Sequence, residues 1–388
     1  MTRSLPRKLR FGMVGGGPGA FIGAVHRRAA TMDGLATLVA GAFSSDRERS
    51  RAQGRELHLD AHRVYDDYET MAEREAALPE GERIDFVSIV TPNHVHYRAA
   101  RAFIERGIHV ICDKPMTTTL ADAEALCQLV RERDVVFALT HNYSGYPLVK
   151  QARAMVQAGE LGVIRKVVAE YSQGWLSTLV EATGQKQADW RTDPARAGAG
   201  ALGDIGSHAE HLARYVTGLE IEQLCADVST FVDGRRIDDD ANLLVRYRGG
   251  AKGVLFCSQI SLGEENRLAL RVYGTEASVE WQQEEPNALI VRRASGALQV
   301  YKPGHPFLAP AAQHATRLPS GHPEAFLEAF ANIYANAMRT IGARLAGEAP
   351  DALDLDFPSV DDGLAGVRFI HSALASGRRA DWVPLGTS

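Results

Sequence analysis

Two short segments of the sequence carry side chains that could move a proton. Lys114 precedes Pro115, and proline disfavours helix in the residue before it, so Lys114 should be held extended. An ammonium fixed in this way can hydrogen-bond a substrate oxygen and stabilise a developing alkoxide. Asp204 and His208 are four residues apart, which predicts that both lie on one face near the start of a helix. They could form a general base beside a carboxylate, or a helix cap beside a solvated histidine.

A metal site is a minor alternative for the second segment. His211 follows His208 by three residues, so these two histidines and Asp204 could share an ion. No further residue completes a persuasive zinc set, and we expect no metal. The cysteines lie far apart without a CxxC pair, which predicts buried thiols in a reducing compartment rather than a zinc site or a disulfide framework. They are Cys112, Cys127, Cys225 and Cys257.

A glycine-rich segment directly after the first predicted strand is typical of a dinucleotide-binding loop. The spacing Gly15-x-Gly17-x-x-Ala20 fits the fingerprint with alanine in third place. The first glycine allows a tight turn, the second lets the backbone approach a pyrophosphate, and the alanine permits close packing of helix on strand. The N–H groups that begin the next helix would point at the phosphates. The residues expected to bind the cofactor here are Gly15, Gly17, Pro18, Gly19 and Ala20.

The residues after the second predicted strand should contact the adenosine ribose. An acidic residue there favours NAD, but the segment reads Ser44, Ser45, Asp46, Arg47. Asp46 could bind the ribose hydroxyls, and the other three could hold a 2′-phosphate. Alternatively, Asp46 only caps the next helix. We expect NAD as the cofactor and leave NADP open.

Strand and helix patterns alternate over the first 140 residues. Strands are predicted at 9–14, 35–43, 84–90, 109–112 and 135–140, and helices at 19–32, 46–57, 96–105 and 120–133. Such alternation favours a parallel sheet with right-handed crossovers. Residues 1–142 are therefore expected to form a doubly wound Rossmann domain, with ligands at the carboxyl ends of its strands.

The pattern changes in the second part of the chain. Strands are predicted at 166–173, 224–232, 242–247, 252–261, 268–273 and 277–282, and helices at 206–217 and 323–345. The pair Gly249-Gly250 separates two of the strands and indicates an antiparallel hairpin. Residues 143–388 are expected to form an α+β domain with a large open, mainly antiparallel sheet. Self-association is one way to cover the apolar face of such a sheet.

Composition excludes several classes of protein. The chain has 388 residues, of which 45% are hydrophobic and 23% charged, and 43 basic against 48 acidic residues give a net charge of −5. Interspersed charges of this balance do not favour nucleic-acid binding. Apolar runs of 18 residues are missing, so we expect no membrane span. The glycine-rich start does not fit a signal peptide, which makes the cytoplasm the expected location.

In their order and spacing, these motifs resemble the family of glucose–fructose oxidoreductase, inositol dehydrogenase and MocA-like proteins. The likeness rests on GGGPGA, TPNHVH, CDKP and GALGDIGSH, and it extends to the late segment HPEAFLEAFANIY. It implies a Rossmann domain followed by an α/β domain whose open sheet forms a homodimer or homotetramer. It also implies hydride transfer between a nicotinamide cofactor and a small carbohydrate or polyol.

The resemblance further implies roles for individual residues. Lys114, Asp204 and His208 correspond to the catalytic set, and Asn93 and His96 to positions that contact the cofactor. We expect further cofactor contacts from the neighbouring Thr91, Pro92, Asp113 and Lys114. The chain departs from the family at Ser44, where an acid is frequent, and at 141–147, which lacks the arginine that many members carry before the proline.

Substrate contacts are expected mainly from the stretch before the Asp–His segment. Tryptophan can stack on a sugar ring and arginine can bind an anionic group, so Arg191 and Arg196 would make an acidic, even sulfonated, sugar plausible. The alternative is that the aromatic residues, Trp190 among them, are core and that Arg191 caps a helix. The expected set is Lys114, Asn142, Tyr143, Tyr171, Gln173, Trp175, Arg191, Asp204 and His208.

Three functions are compatible with these residues. The first is a dehydrogenase in which His208 takes a hydroxyl proton. The second is a redox-assisted glycosidase, for example of the sulfoquinovosidase type, which oxidises a sugar transiently and needs a base such as Tyr143 or Tyr171 for the acidified C–H. The third is a cofactor-binding regulator without catalysis, against which the intact Lys114, Asp204 and His208 argue.

Overall fold

The computed structural model describes residue 5 and residues 7–386, which belong to two compact units. The first unit contains the residues up to Thr117 together with Ala121–Asn142 and Phe326–Leu364. The second contains Thr118–Leu120, Tyr143–Ala325 and the residues from Ala365 onwards. The domain boundary expected after residue 142 stays a prediction, and residues 326–364 lie in the first unit rather than with the rest of the second half.

The first unit is built on a parallel sheet, as the strand–helix alternation predicted. Within the described residues, its five strands are β1 (Leu9–Gly15), β2 (Ala36–Ala42), β3 (Phe86–Val90), β4 (His109–Cys112) and β5 (Phe137–Leu139), in the order β2-β1-β3-β4-β5. Its helices include α1 (Phe21–Thr31), α2 (Arg47–Glu56), α3 (Tyr68–Ala76), α4 (Asn93–Ile104) and α5 (Leu120–Arg133). Every residue of β3 is buried, as expected for a strand covered on both faces. Helix α3 was not predicted; it starts where the Asp67 carboxylate accepts the Thr70 backbone N–H at 2.6 Å.

The second unit is built on a mainly antiparallel sheet, again as predicted. Its described strands are β6 (Lys166–Ser172), β7 (Ile221–Ser229), β8 (Asp240–Tyr247), β9 (Lys252–Ser258), β10 (Arg267–Tyr273), β11 (Ala277–Gln282), β12 (Leu289–Arg293), β13 (Gln299–Tyr301) and β14 (Val383–Pro384). Their order is β13-β12-β11-β10-β6-β9-β8-β7-β14, and β6 and β9 pair in parallel. The hairpin at Gly249-Gly250 is confirmed, because β8 and β9 pair antiparallel across it.

The helices of the second half lie mostly between strands. They are α6 (Pro147–Gln157), α7 (Lys186–Arg191), α8 (Pro194–Ala197), α9 (Ser207–Thr217), α10 (Pro310–His314), α11 (Phe326–Leu345) and α12 (Val360–Arg379). The packing of helix α11 explains why this segment belongs to the first unit. Phe330 and Tyr334 of α11 pack their rings against His26 of α1, and both are buried in the same core as β1 and β3.

Candidate active site

The glycine loop after β1 has a backbone that excludes side chains. Gly15 has a φ of +86°, and a Cβ there would lie 2.8 Å from the Val90 carbonyl oxygen. A Cβ on Gly17 would lie 2.6 Å from the Phe43 carbonyl oxygen. These constraints fit a loop whose backbone meets a pyrophosphate, and Ala20, the N-cap of α1, offers no polar side chain to its N–H groups.

The close packing that we expected at Ala20 is made elsewhere. Ala20 is only partly buried. Gly23 makes the tightest approach of α1 to the loop, because a Cβ there would lie 2.4 Å from the Gly16 Cα. The fingerprint therefore placed the loop correctly but assigned the helix contact to a residue one turn too early.

The segment after β2 uses its acid as a helix cap. The Asp46 carboxylate accepts the Arg49 backbone N–H at 2.9 Å, and the Asp46 N–H donates to Ser44 Oγ at 3.2 Å. Arg47 pairs with Asp66 at 3.0 Å. Ser45 is exposed. The capping interpretation of Asp46 thus matches the geometry, since its side chain is bound to its own helix.

His96 connects the ends of β3 and β4. Its imidazole is fully buried, with Nδ1 2.8 Å from the Pro115 carbonyl oxygen and Nε2 2.9 Å from the Thr91 carbonyl oxygen. Burial lowers the pKa of His96. A ring enclosed in this way holds the backbone next to Lys114, and it presents no surface of its own to a cofactor. Pro92 is the N-cap of α4, and Asn93 is its buried first residue.

Asp113 holds the other side of the lysine segment. Its Oδ1 accepts the Lys114 backbone N–H at 2.9 Å and the Thr140 hydroxyl at 3.0 Å. The Lys114–Pro115 peptide bond is cis, and Lys114 is partly buried at the carboxyl edge of the parallel sheet. The backbone on both sides of Lys114 is therefore fixed by buried and partly buried polar contacts.

Two buried polar atoms of the first unit remain available for a ligand. Thr91 Oγ1 and Asn142 Nδ2 are buried and have no hydrogen-bond partner among the described residues. The Thr91 side chain also borders the space that a Cβ on Gly15 would fill. Since buried polar groups are normally paired, a polar ligand at this sheet edge fits both atoms.

Asp204 lies in a π-helical turn rather than in a regular α-helix. The turn spans Leu202–Gly206 and continues into α9, which begins at Ser207. The Asp238 carboxylate fixes the start of this turn, because it accepts hydrogen bonds from the backbone N–H groups of Gly200 at 2.7 Å and Leu202 at 2.8 Å. π-Helical turns occur frequently at functional sites.

The carboxylate of Asp204 has two neighbours that were not predicted to touch it. Gln259 Nε2 donates to Asp204 Oδ2 at 2.9 Å, and Arg191 Nε lies 3.4 Å from the same oxygen. His208 is buried, and its ring packs edge-on against the ring of Tyr143 with 4.7 Å between centroids. Gln259 follows a strand in a sequence with no distinctive motif, so only the fold could reveal it.

Tyr143 and Tyr171, whose rings lie beside His208, begin a chain of hydrogen-bonded side chains. The hydroxyls of Tyr143 and Tyr171 are 2.5 Å apart, and the Tyr171 hydroxyl donates to Asn266 Oδ1 at 2.7 Å. Gln173 Nε2 also donates to Asn266 Oδ1 at 2.7 Å, and Trp175 Nε1 donates to Gln173 Oε1 at 3.0 Å. The structure thus brings together four predicted substrate residues and adds Asn266, which sequence reasoning missed.

The arginines of this region are already paired with carboxylates. Arg191 faces Asp204, bonds Gln187, and lies with its guanidinium 4.3 Å from the centre of the Trp190 ring. Arg196 pairs with Asp189 at 2.7 Å. These contacts reduce the charge that either arginine could offer to an anionic substrate.

Metal and membrane sites can be checked over the same residues. The described part of the chain contains no group of three or more His, Cys, Asp or Glu side chains that could hold a metal ion. Its cysteines are free thiols, three of them buried. None of its helices is both long and apolar enough to cross a membrane.

Comparison with known proteins identifies the family. The model of the oxidoreductase family with an NAD-binding Rossmann fold matches residues 9–141, and that of the GFO/IDH/MocA C-terminal domain matches residues 149–280. An oxidoreductase from Sinorhizobium meliloti is 47% identical in sequence, with a TM-score of 0.88 over 97% of this chain and 99% of that one. The chain belongs to the Gfo/Idh/MocA oxidoreductase family.

Two further members carry more specific names. The structure of an inositol dehydrogenase homolog from Azotobacter vinelandii, complexed with NADH and myo-inositol, is 37% identical, with a TM-score of 0.90 over 98% of each chain. Levoglucosan dehydrogenase from Pseudarthrobacter phenanthrenivorans is 28% identical over 78% of this chain and 82% of its own. The resemblance drawn from the motifs is confirmed, and the chain is an oxidoreductase with an NAD-binding Rossmann domain.

Proposed function

We propose that this Gfo/Idh/MocA member is an NAD-dependent dehydrogenase that oxidises a secondary hydroxyl of a neutral sugar or polyol. The observation that carries the proposal is the group of neutral hydrogen-bonding side chains around His208, which suits a ligand rich in hydroxyl groups. The relative that binds NADH and myo-inositol supports the same substrate class.

The proposal assigns three catalytic roles. His208 takes the proton of the reacting hydroxyl as general base. Asp204, whose Oδ2 is held by Gln259, favours the charged form of that histidine. Lys114 hydrogen-bonds the reacting oxygen and stabilises its developing negative charge.

The cofactor site follows from the first unit. Gly15 and Gly17 would hold the pyrophosphate through backbone N–H groups, with Pro18, Gly19 and Ala20 completing the loop. Thr91, Pro92, Asn93, Asp113 and Lys114 would line the sheet edge beside it, whereas His96 is a positioning residue for the segment that carries Lys114. Bound NAD would supply the hydride acceptor. The family commonly has an acidic residue at the position of Ser44, where it would favour NAD over NADP. Because this chain has serine there, the assay below compares the two cofactors.

The paired arginines favour a neutral substrate over an acidic one. Arg191 and Arg196 each face a carboxylate, so an anionic group would have to compete with Asp204 or Asp189. We therefore propose sugars or polyols without a carboxylate or sulfonate as the substrate class.

The glycosidase alternative needs a base for an acidified C–H, and the tyrosines are poor candidates. Burial raises the pKa of Tyr143 and of Tyr171, which keeps both phenols protonated near neutral pH. This weighs against either tyrosine as the base and favours net oxidation.

The assay supplies the protein with NAD or NADP and a panel of myo-inositol, levoglucosan, free sugars and glycosides. Reduced cofactor and product are measured together. Reduced cofactor that accumulates in step with a ketone is the expected result. Glycoside cleavage without net reduction of the cofactor would contradict the proposal and support the glycosidase.

Self-association is a separate part of the proposal. We propose a homodimer or homotetramer formed through the open sheet of the second unit, where Leu244 is 55% exposed on a strand. Light scattering coupled to size exclusion measures the mass in solution. A mass of one chain at micromolar concentration would contradict this part.

A further inference from the structure

A chain of hydrogen bonds leads from the half-exposed Trp175 to the buried Tyr143 beside His208. Its links are Trp175 to Gln173, Gln173 to Asn266, Tyr171 to Asn266, and Tyr143 to Tyr171. The heavy-atom separations of these four links are 3.0 Å or less, so each link is a well-formed hydrogen bond.

The chemistry of its first member fixes the direction of every later bond. An indole N–H can only donate, so the Gln173 atom that faces Trp175 is the amide oxygen. The other amide atom of Gln173 is then an NH₂ group, and the Asn266 atom that receives it must be Oδ1. Because Oδ1 can only accept, the Tyr171 hydroxyl donates its single proton to Asn266.

The direction of the Tyr143–Tyr171 bond follows from the same count of donors and acceptors. Tyr171 donates its single proton to Asn266, so its oxygen accepts the proton of Tyr143. Any further group that bonds the Tyr143 oxygen must therefore donate to it. The contact of 3.4 Å from Asn266 Nδ2 to the Tyr143 oxygen has this required direction.

We propose that Trp175, Gln173 and Asn266 fix the direction of the Tyr143–Tyr171 hydrogen bond, so that Tyr143 meets the substrate only as an acceptor. The dehydrogenase then selects polyols that place a free, donating hydroxyl against Tyr143, and it disfavours deoxy, ether or carbonyl groups at that position. This inference rests on the proposed function. It makes Asn266 a specificity-determining residue that acts through the two tyrosines.

Tyr171→Phe is the most direct test, because it removes the atom that accepts the Tyr143 proton and frees Tyr143 to donate. The probes are myo-inositol and levoglucosan, each compared with its single deoxyfluoro analogues, in which fluorine cannot donate. In the wild type, we expect replacement of one particular hydroxyl to lower kcat/KM by at least about tenfold. In Tyr171→Phe that penalty should shrink to about threefold or less, while the penalties at the other positions stay unchanged.

Two further variants distinguish an effect of hydrogen-bond direction from a general structural effect of replacing Asn266. Asn266→Asp keeps an acceptor for Gln173 and Tyr171 and should retain the wild-type discrimination, whereas Asn266→Leu removes the acceptor and should lose it. Asn242→Leu, at an exposed asparagine of β8 outside the chain of bonds, is the matched control and should retain it. Equal discrimination in Asn266→Asp and Asn266→Leu would overturn the proposal, as would an unchanged penalty in Tyr171→Phe.

A measurement without substrate distinguishes this inference from the proposed function. In protein with ¹⁵N-labelled tryptophan, which has only four indole groups to assign, Asn266→Leu should shift the Trp175 indole N–H resonance and Asn242→Leu should not. An unmoved resonance overturns the hydrogen-bond chain whatever the activity. If the resonance shifts but the wild type oxidises neither probe, the proposed function fails for these substrates, and the selection rule fails with it.

Discussion

The two compact units position their functional groups by different means. In the first, backbone constraints act at the ends of strands: Gly15 and Gly17 admit no Cβ, and Lys114 lies between hydrogen bonds made by His96 and Asp113. In the second, side chains from distant segments hold one another, as Gln259 holds Asp204. Backbone constraints leave a local signature in the sequence, whereas a network of side chains does not.

Loss of the Lys114 ammonium should have the largest effect on activity. We expect Lys114→Ala to lower kcat by about 10²–10³-fold, because a donor to the developing alkoxide disappears. The dissociation constant of NAD, measured by calorimetry, should change by less than about threefold, since the glycine loop is untouched. Lys252→Ala, at an exposed lysine of β9, is the control. Equal losses in kcat and in NAD affinity would contradict the assigned role.

A Cβ at Gly17 should disrupt the cofactor loop. We expect Gly17→Ala to weaken NAD binding by about a hundredfold, because the new atom would lie 2.6 Å from the Phe43 carbonyl oxygen and must displace backbone. Gly34→Asn, at an exposed glycine between α1 and β2, is the control: its φ of +69° suits asparagine, and a Cβ there meets no atom within 4 Å. If both variants bind NAD equally, the loop does not depend on the absent Cβ.

Loss of one contact in the side-chain network of the second unit should have a smaller effect, and it should lower kcat rather than NAD affinity. We expect Gln259→Leu to lower kcat by about tenfold, the value of one hydrogen bond to a charged group, with NAD affinity unchanged. Gln313→Leu is the control, since that glutamine caps carbonyl groups of an exposed turn. An unchanged kcat in Gln259→Leu would contradict a role for Gln259 in holding Asp204.

The same contrast explains what the sequence could predict. The glycine loop and the Lys114-Pro115 segment were accessible because each depends on neighbours within a few residues. The parallel sheet was accessible because alternating strand and helix patterns predict it. The contacts of Gln259 and Asn266 were not, because each follows or precedes a strand in an ordinary sequence and meets its partner only after the sheet forms. Helix α11 was predicted as a helix, but its attachment to the first unit depends on tertiary packing against His26.

Acid should lower the free energy of unfolding through His26, and this is the smallest of the expected effects. Burial lowers the pKa of His26 to about 4, and its Nδ1 lies 2.8 Å from the Tyr334 hydroxyl in the core of the first unit. The unfolded chain, with an ordinary histidine pKa near 6.5, binds a proton first as the pH falls, so the stabilisation is present above pH 6.5 and decreases towards pH 4. Between pH 7 and pH 6 this group should cost about 0.7 kcal/mol of unfolding free energy.

Urea unfolding at pH 7.0, 6.5 and 6.0 measures this slope. His26→Phe should be less stable at pH 7, because Tyr334 loses a partner, but its stability should fall less steeply with acid. His62→Gln, at an exposed histidine, should keep the wild-type slope. Burial also lowers the pKa of His96, so part of the slope should remain in His26→Phe. A slope that is as steep as in the wild type would contradict the assignment to His26.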